Sequence, residues 1–202
     1  MRELVRRRLA QSEHDNGVSL VEVLVTMLIF AVIMVGVYSV LITVQRQSRD
    51  ISGREETVGN ARLATEQMDR QIRSGNVLYD PAKEALPLSM RVYTQANGDD
   101  RCIQWRVLGT QLQMRAWSPG WRTDGKVTSW GVTARGLQNT SATPPFALEG
   151  GSTAYGSRLV DIDLRVKDPA SSGNVLQIKT SLSGRNTLYG FDPGICSDVP
   201  TP

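Results

Sequence analysis

The sequence predicts an α+β protein: a long N-terminal transmembrane and amphipathic helix followed by a C-terminal antiparallel β-sheet domain. Three observations point there. Residues 23–44 form an apolar run with no formal charge and no proline. From 45 to 73 proline is still absent, and apolar side chains recur at helical spacing. After the helix the pattern changes to period two, with turn residues between the apolar stretches.

A bilayer's hydrocarbon core takes about 20 apolar residues as a helix, so the first run can span one. Its many β-branched residues would weaken a helix in water. In lipid the backbone must satisfy its own hydrogen bonds, and the helix prevails. Beyond it, Ile51, Val58, Ala61, Thr65, Met68 and Ile72 recur at spacings of three, four and seven, which is one helix face. The opposite face carries Arg54, Glu55, Glu56, Arg62, Glu66 and Arg70. Glu66 precedes Arg70 by four, the better order for an ion pair on a helix. Ser74-Gly75-Asn76 supplies the stop, with Gly75 as a left-handed cap. A helix over 18–74 would be roughly 85 Å long. Gly36, Gly53 and Gly59 interrupt it, each at a cost of up to about 1 kcal/mol against alanine. Close packing against a neighbour accounts for Gly36; for Gly53 and Gly59 packing and a local bend stay open.

Residues 88–94 read as a strand, and Asn97-Gly98-Asp99-Asp100 as a turn. A second strand covers 102–107. Leu108-Gly109-Thr110 turns it into a third at 111–117, where Leu112, Met114 and Ala116 alternate with Gln111, Gln113 and Arg115. Ser118-Pro119-Gly120 and Thr123-Asp124-Gly125 are further turns. Residues 131–157 read as a long connection from which Phe146 and Leu148 plug the core. The clearest hairpin pairs 159–166 with 175–182 across a loop at 168–174. The tail beyond Thr187 holds two proline-containing turns and Cys196.

Glu22 stands at the edge of the apolar run. A carboxylate there needs a partner or a proton, unless it snorkels to the headgroups. Ahead of it lie Gly17 and a short polar leader with Arg2, Arg6, Arg7 and Arg8. An ordinary secretory signal does not fit, because the apolar run is too long and no A-x-A-like site follows it. The basic leader favours an N-terminus held in the cytoplasm, although Arg46, Arg49 and Arg54 make the asymmetry modest.

Gly17, Val18, Ser19, Leu20, Glu22 and the run behind them resemble the type IV prepilin signal. The resemblance implies that a membrane prepilin peptidase cuts between Gly17 and Val18 and that the new N-terminus at Val18 is methylated. Val18 stands where the family usually has phenylalanine. The resemblance also implies a division into a leader at 1–17, a transmembrane helix half at 18–44, an amphipathic half at 45–75 and an extracytoplasmic β-rich domain at 76–202. In such a protein Glu22 would neutralise the N-terminal amine of an adjacent subunit during assembly. The stretch from Ala61-Arg62 to Ile72-Arg73, the Cys102 hairpin, Pro145-Phe146-Ala147-Leu148 and Ser183-Gly184-Arg185-Asn186 are also similar, more loosely, to the J-type pseudopilins of type II secretion and the W-type minor pilins.

The chain has 202 residues and a formal net charge of +3. Removing the leader leaves one anchor helix and a domain large enough to bury a core. The charge is too mild to argue for general nucleic-acid binding. His14 is the single histidine and lies in the leader, so the mature chain would have no imidazole for nucleophilic or zinc chemistry. No phosphate-loop or dinucleotide glycine pattern occurs. Asp161 and Asp163 read as the wet side of a strand rather than an acid–base pair. Asp99 and Asp100 could serve calcium, since some pseudopilins carry such a site, but two acids in a turn fall short of a calcium loop. No metal, cofactor or catalytic residue is expected. Trp105, Trp117, Trp121 and Trp130 are interleaved with Arg106, Arg115, Arg122, Lys126 and Arg135. Such a mixture can stack bases and hold phosphates of DNA. The reading preferred for it is tryptophans in the sheet core and cations on its solvated face.

The expected function is that of a structural, minor pilin or pseudopilin subunit of a type IV pilus, competence pilus or type II secretion-like filament. Its partners would be other such subunits, the prepilin peptidase, the inner-membrane assembly machinery and membrane lipid. The alternative is a single-pass membrane-anchored binding module that does not polymerise. With the sheet domain placed outside the cytoplasm, Cys102 and Cys196 are expected to form a disulfide that tethers a tail poor in apolar periodicity; two independent buried thiols are the competing reading.

Overall fold

The computed structural model describes residues 17–95, 98–149, 158–167, 174–184 and 191–201. The expectations placed on the leader, Asn97, residues 150–157, the loop at 168–173 and residues 185–190 lie outside the described residues. The chain divides into two units, 1–49 and 50–202.

Helix α1 runs Leu20–Arg73 as one element of 54 residues. It begins after Ser19 rather than at Val18, because the Ser19 hydroxyl accepts the Glu22 N–H at 3.2 Å and so caps the first turn. In the second unit its Ala61, Ala64, Met68 and Ile72 are buried, with Val58 packed against the same core. The predicted face holds except at its ends and centre. Ile51 is 51% exposed, two turns short of where the core closes. Thr65 sits half-buried and turns its hydroxyl back to the Ala61 carbonyl, so Ala64 fills the core position. The charged face is exposed as predicted. The ion pair it forms is Asp69–Arg73 at 2.6 Å, about one turn beyond the Glu66–Arg70 pair suggested by spacing.

Gly75 is not a left-handed cap. Ser74 closes the helix by bonding the Arg70 carbonyl through both its N–H and its hydroxyl. Gly75 instead opens strand β1, Gly75–Leu78. A Cβ there would lie 2.8 Å from Val92 Cγ1 and 2.9 Å from the Ile72 carbonyl, so the close approach of the backbones requires glycine.

A single 3-10 turn at Pro81–Lys83, capped by the Asp80 carboxylate, leads to β2 at Ser89–Thr94. The strand starts one residue later than predicted because Leu88 has φ +55°, a left-handed conformation outside any strand. That strain costs on the order of 1–3 kcal/mol. The Leu88 side chain packs against the core, and its carbonyl accepts the Val107 N–H. Strands β3 at Arg101–Leu108 and β4 at Gln111–Trp117 follow the predicted hairpin. The turn expected at 123–125 is preceded by a one-turn helix, α2, at Trp121–Asp124. Strand β5, Gly131–Arg135, completes an antiparallel sheet in the order β1-β2-β3-β4-β5.

The second sheet is β6-β7-β8, with β6 at Phe146–Leu148, β7 at Leu159–Val166 and β8 at Leu176–Ser183. The connection predicted over 131–157 therefore contains two short strands. Each pairs with a distant strand, β5 with β4 and β6 with β7, and local sequence does not advertise them. Phe146 is buried and Leu148 packs beside it, as expected. One core joins α1 to Met90, Val92, Ile103, Trp105, Val107 and Leu112 of the first sheet and to Val160, Ile162, Leu164 and Leu182 of the second.

Gly136, at φ +81°, carries the chain from one sheet to the other and accepts the Lys167 N–H at 2.8 Å. A Cβ there would clash with the Lys167 carbonyl and lie 2.9 Å from Thr57 Cγ2. Gly136→Ala is expected to destabilise the domain by about 2 kcal/mol or more. Denaturant unfolding of the detergent-solubilised chain checks this, and an unchanged midpoint would show that the crossing relaxes freely.

Candidate functional site

Gly17 and Val18 lie ahead of the helix, exposed and outside secondary structure, where a peptidase could reach the bond between them. Ser19 and Glu22 set the first turn. The Ser19 carbonyl accepts the Val23 N–H, and the Ser19 hydroxyl accepts the N–H of Glu22. The Glu22 carboxylate sits in the first turn, where the unpaired N–H groups of the helix favour negative charge. It is exposed, and among the described residues no cation pairs with it.

Behind it, every residue from Leu20 to Asp50 is exposed. The serine and threonine hydroxyls of the apolar run are satisfied within the helix. Thr26 Oγ1 donates to the Val23 carbonyl, Ser39 Oγ to Gly36 and Thr43 Oγ1 to Ser39, each at 2.8–2.9 Å. This is what a helix in lipid needs. Helix α1 is long and apolar enough to cross a membrane, with a mean hydropathy of 2.7 over its most apolar stretch. A continuous apolar surface of this length far exceeds the patches that soluble monomers expose. A Cβ at Gly36 would meet nothing within 4 Å, so any close packing there involves another molecule.

A second constellation lies on the face of the first sheet that points away from α1. The segment 191–201 is strapped over it. Cys102 and Cys196 are disulfide-bonded with Cα atoms 5.8 Å apart, as expected from the sequence. They are buried with Val77, Tyr93 and Trp117, and Phe191, Ile195 and Val199 pack against them. Polar contacts extend the attachment. Arg91 donates to the Cys196 carbonyl, Tyr79 Oη accepts the Cys196 N–H, and Trp121 Nε1 donates to the Asp198 carbonyl. Arg122 pairs with the Asp198 carboxylate and holds it below the usual carboxylate range.

Arg115 was expected on a solvated face, and this is corrected: it is 2% exposed. The strap covers it, and its guanidinium donates to Gln104 Oε1 and to the carbonyls of Pro200 and Thr201. Burial, with the nearby Arg106 charge, lowers its pKa to about 10, so it stays protonated at neutral pH. Beside it Arg91 pairs with Glu84 at 3.0 Å. Burial pushes the Glu84 carboxyl up, and Arg91 offsets this only in part. Nothing local in the sequence marks these cations. Alternation puts Arg91 and Arg115 on the sheet face away from α1, and only the distant tail decides that this face is covered.

Trp105 and Trp117 are core residues, as preferred from the sequence. Trp105 Nε1 donates to Gln71 Oε1 at 2.7 Å and ties the first sheet to α1. Trp130 is half-buried under Arg106 and Arg115. The acids singled out in the sequence are occupied. Asp100 accepts from Tyr93 Oη and Gln95, and Asp99 pairs with Arg101. Asp161 and Asp163 accept from Ser181 and Gln177 of the neighbouring strand. Among the described residues no three His, Cys, Asp or Glu gather as a metal cluster.

Residues 14–38 match the prokaryotic N-terminal methylation motif. No curated protein and no solved structure is similar enough to the chain to match it. The motif, with the long apolar helix directly behind it and an antiparallel sheet domain beyond, fits a type IV pilin-like prepilin signal and fold. It supports a pilin- or pseudopilin-like, structural role and anchoring in a membrane.

Proposed function

We propose that this chain is a minor structural subunit of a pilus, competence or secretion-type filament, cut between Gly17 and Val18 and methylated on Val18. The observation that carries the reading is the methylation motif at 14–38 running straight into an apolar helix that is exposed throughout 20–50. The 1–17 leader stays in the cytoplasm, 18–44 crosses the inner membrane, and 45–75 and the domain 76–202 stand outside. The Cys102–Cys196 disulfide supports that placement, because disulfides persist in oxidising compartments. After extraction from the membrane the apolar helices bundle, and each Glu22 neutralises the Val18 amine of a neighbour. The chain without its leader is expected in sheared filaments; its recovery in the membrane fraction alone would favour an anchored module that never polymerises.

Glu22→Ala is expected to leave membrane insertion and cleavage intact and to reduce incorporation into filaments strongly. A buried pair broken on one side costs about 3–5 kcal/mol per interface. Subunit counts in purified filaments read the effect, and wild-type incorporation would end the pairing mechanism.

A further inference from the structure

Arg91, Arg106 and Arg115 project on the strap-covered face of the first sheet and Arg122 stands on α2; of these four, among the described residues, only Arg91 and Arg122 pair with a carboxylate. Arg91 is paired with Glu84 and Arg122 with Asp198. Among the described residues no carboxylate pairs with Arg106 or Arg115. Both guanidiniums close on one indole, with Arg106 3.8 Å and Arg115 4.4 Å from the centre of the Trp130 ring. The donors of Arg115 are taken up by neutral acceptors, namely Gln104, Pro200 and Thr201, so among the described residues its hydrogen bonds are made without a counter-ion. Arg106 donates through Nε to Gln113 Oε1 at 2.9 Å, and among the described residues its two terminal amino groups bond to nothing. Trp130 Nε1 is buried without a hydrogen-bond partner.

Two like charges therefore meet at one indole whose N–H has no partner, and among the described residues no anion stands beside them. The aromatic ring lowers the energy of the cations but cannot neutralise them. It also does nothing for its own N–H, and an unmatched buried donor costs about 1–3 kcal/mol. One kind of group answers all three. A guanidinium edge matches the geometry of carboxylate and phosphate oxygens, and an indole N–H is a donor only.

We infer that Arg106 and Trp130 Nε1, backed by the charge of Arg115, bind an oxyanion of the carboxylate or phosphate type. The site lies within the sheet domain and does not depend on the filament reading. Arg106 supplies the directional contact, Trp130 the second donor, and Arg115 a fixed field from beneath.

The test uses the full chain, 15N-labelled, in detergent micelles at constant ionic strength, with chloride as the background anion. Inorganic phosphate and, separately, citrate are titrated while the indole N–H resonances are followed; Trp130→Phe identifies the one of interest. The Trp130 resonance is expected to move saturably, and that of Trp105, already bonded to Gln71, to stay still. Arg106→Gln should weaken binding roughly tenfold or more while the Trp105 resonance keeps its position, showing the fold intact. Response to phosphate alone assigns a phosphate ligand, to citrate alone a carboxylate, and to both a site that reads charge. A single-stranded oligonucleotide that displaces phosphate would place the phosphate on a nucleic-acid strand. No saturable shift with either anion, or unchanged binding in Arg106→Gln, overturns the inference.

Discussion

Gly17→Arg is expected to leave the chain at full length, with Met1 or its trimmed form still attached and none of it in filaments. Gly17 and Val18 are exposed and lie directly before the Ser19 cap, so the bond proposed for cleavage falls outside secondary structure. On the proposed processing, an arginine at Gly17 puts a long cation next to the bond to be cut, where glycine offers only a hydrogen atom. The folded domain begins far downstream and holds its own core, so its stability should not change. Mass spectrometry of the membrane fraction reads the outcome directly. Wild-type chain should begin at Val18, with the added mass of a methyl group. Efficient cleavage of the variant would show that recognition rests on the apolar run alone, and an intact leader on wild-type filament subunits would end the processing reading.

Cys102→Ser is expected to cost about 4–5 kcal/mol on the chain-entropy view, because the bridge spans a sequence separation of 94. The loss should appear first in the strap. Residues 191–201 would keep their contacts to Arg91, Arg115, Trp121 and Arg122 but lose the covalent anchor at their buried centre. None of those contacts is covalent: they are hydrogen bonds, those from the Arg91 and Arg115 guanidiniums worth about 1.5–3 kcal/mol each, and an exposed, screened ion pair. Hydrogen exchange and limited proteolysis should therefore show opening beyond Phe191 while β2, β3 and β4 stay protected. Their other face is sealed by the core shared with α1. Equal acceleration across strap and strands would show that the bridge holds the whole domain rather than its cover.

Opening the strap would also expose Arg115 and remove two of its acceptors, the Pro200 and Thr201 carbonyls. In the Cys102→Ser variant the Trp130 resonance and its anion response should therefore change together. This couples the bridge to the oxyanion site without involving the filament.

What the sequence determined by itself is whatever depends on near neighbours. An uncharged run of 23–44 needs no fold to be apolar, and Gly17 to Glu22 is a linear pattern that the methylation motif at 14–38 matches as such. Alternation over 111–117 and 159–166, with turn residues at Gly109 and Thr110, placed β4 and β7 at their observed bounds. The disulfide was legible because two cysteines leave one pairing.

Tertiary structure alone decided the rest. Strands β1 and β5 are short, contain glycine and exist because β2 and β4 offer them an edge. Gly75 reads as a cap until Val92 is seen against it. Leu88 has a strand residue's chemistry and a turn residue's φ, held there by the core. Arg115 alternates like any solvent-facing cation, yet a strap from 85 residues away covers it. Which face of a sheet is wet depends on what later folds over it, and that is a property of distant chain.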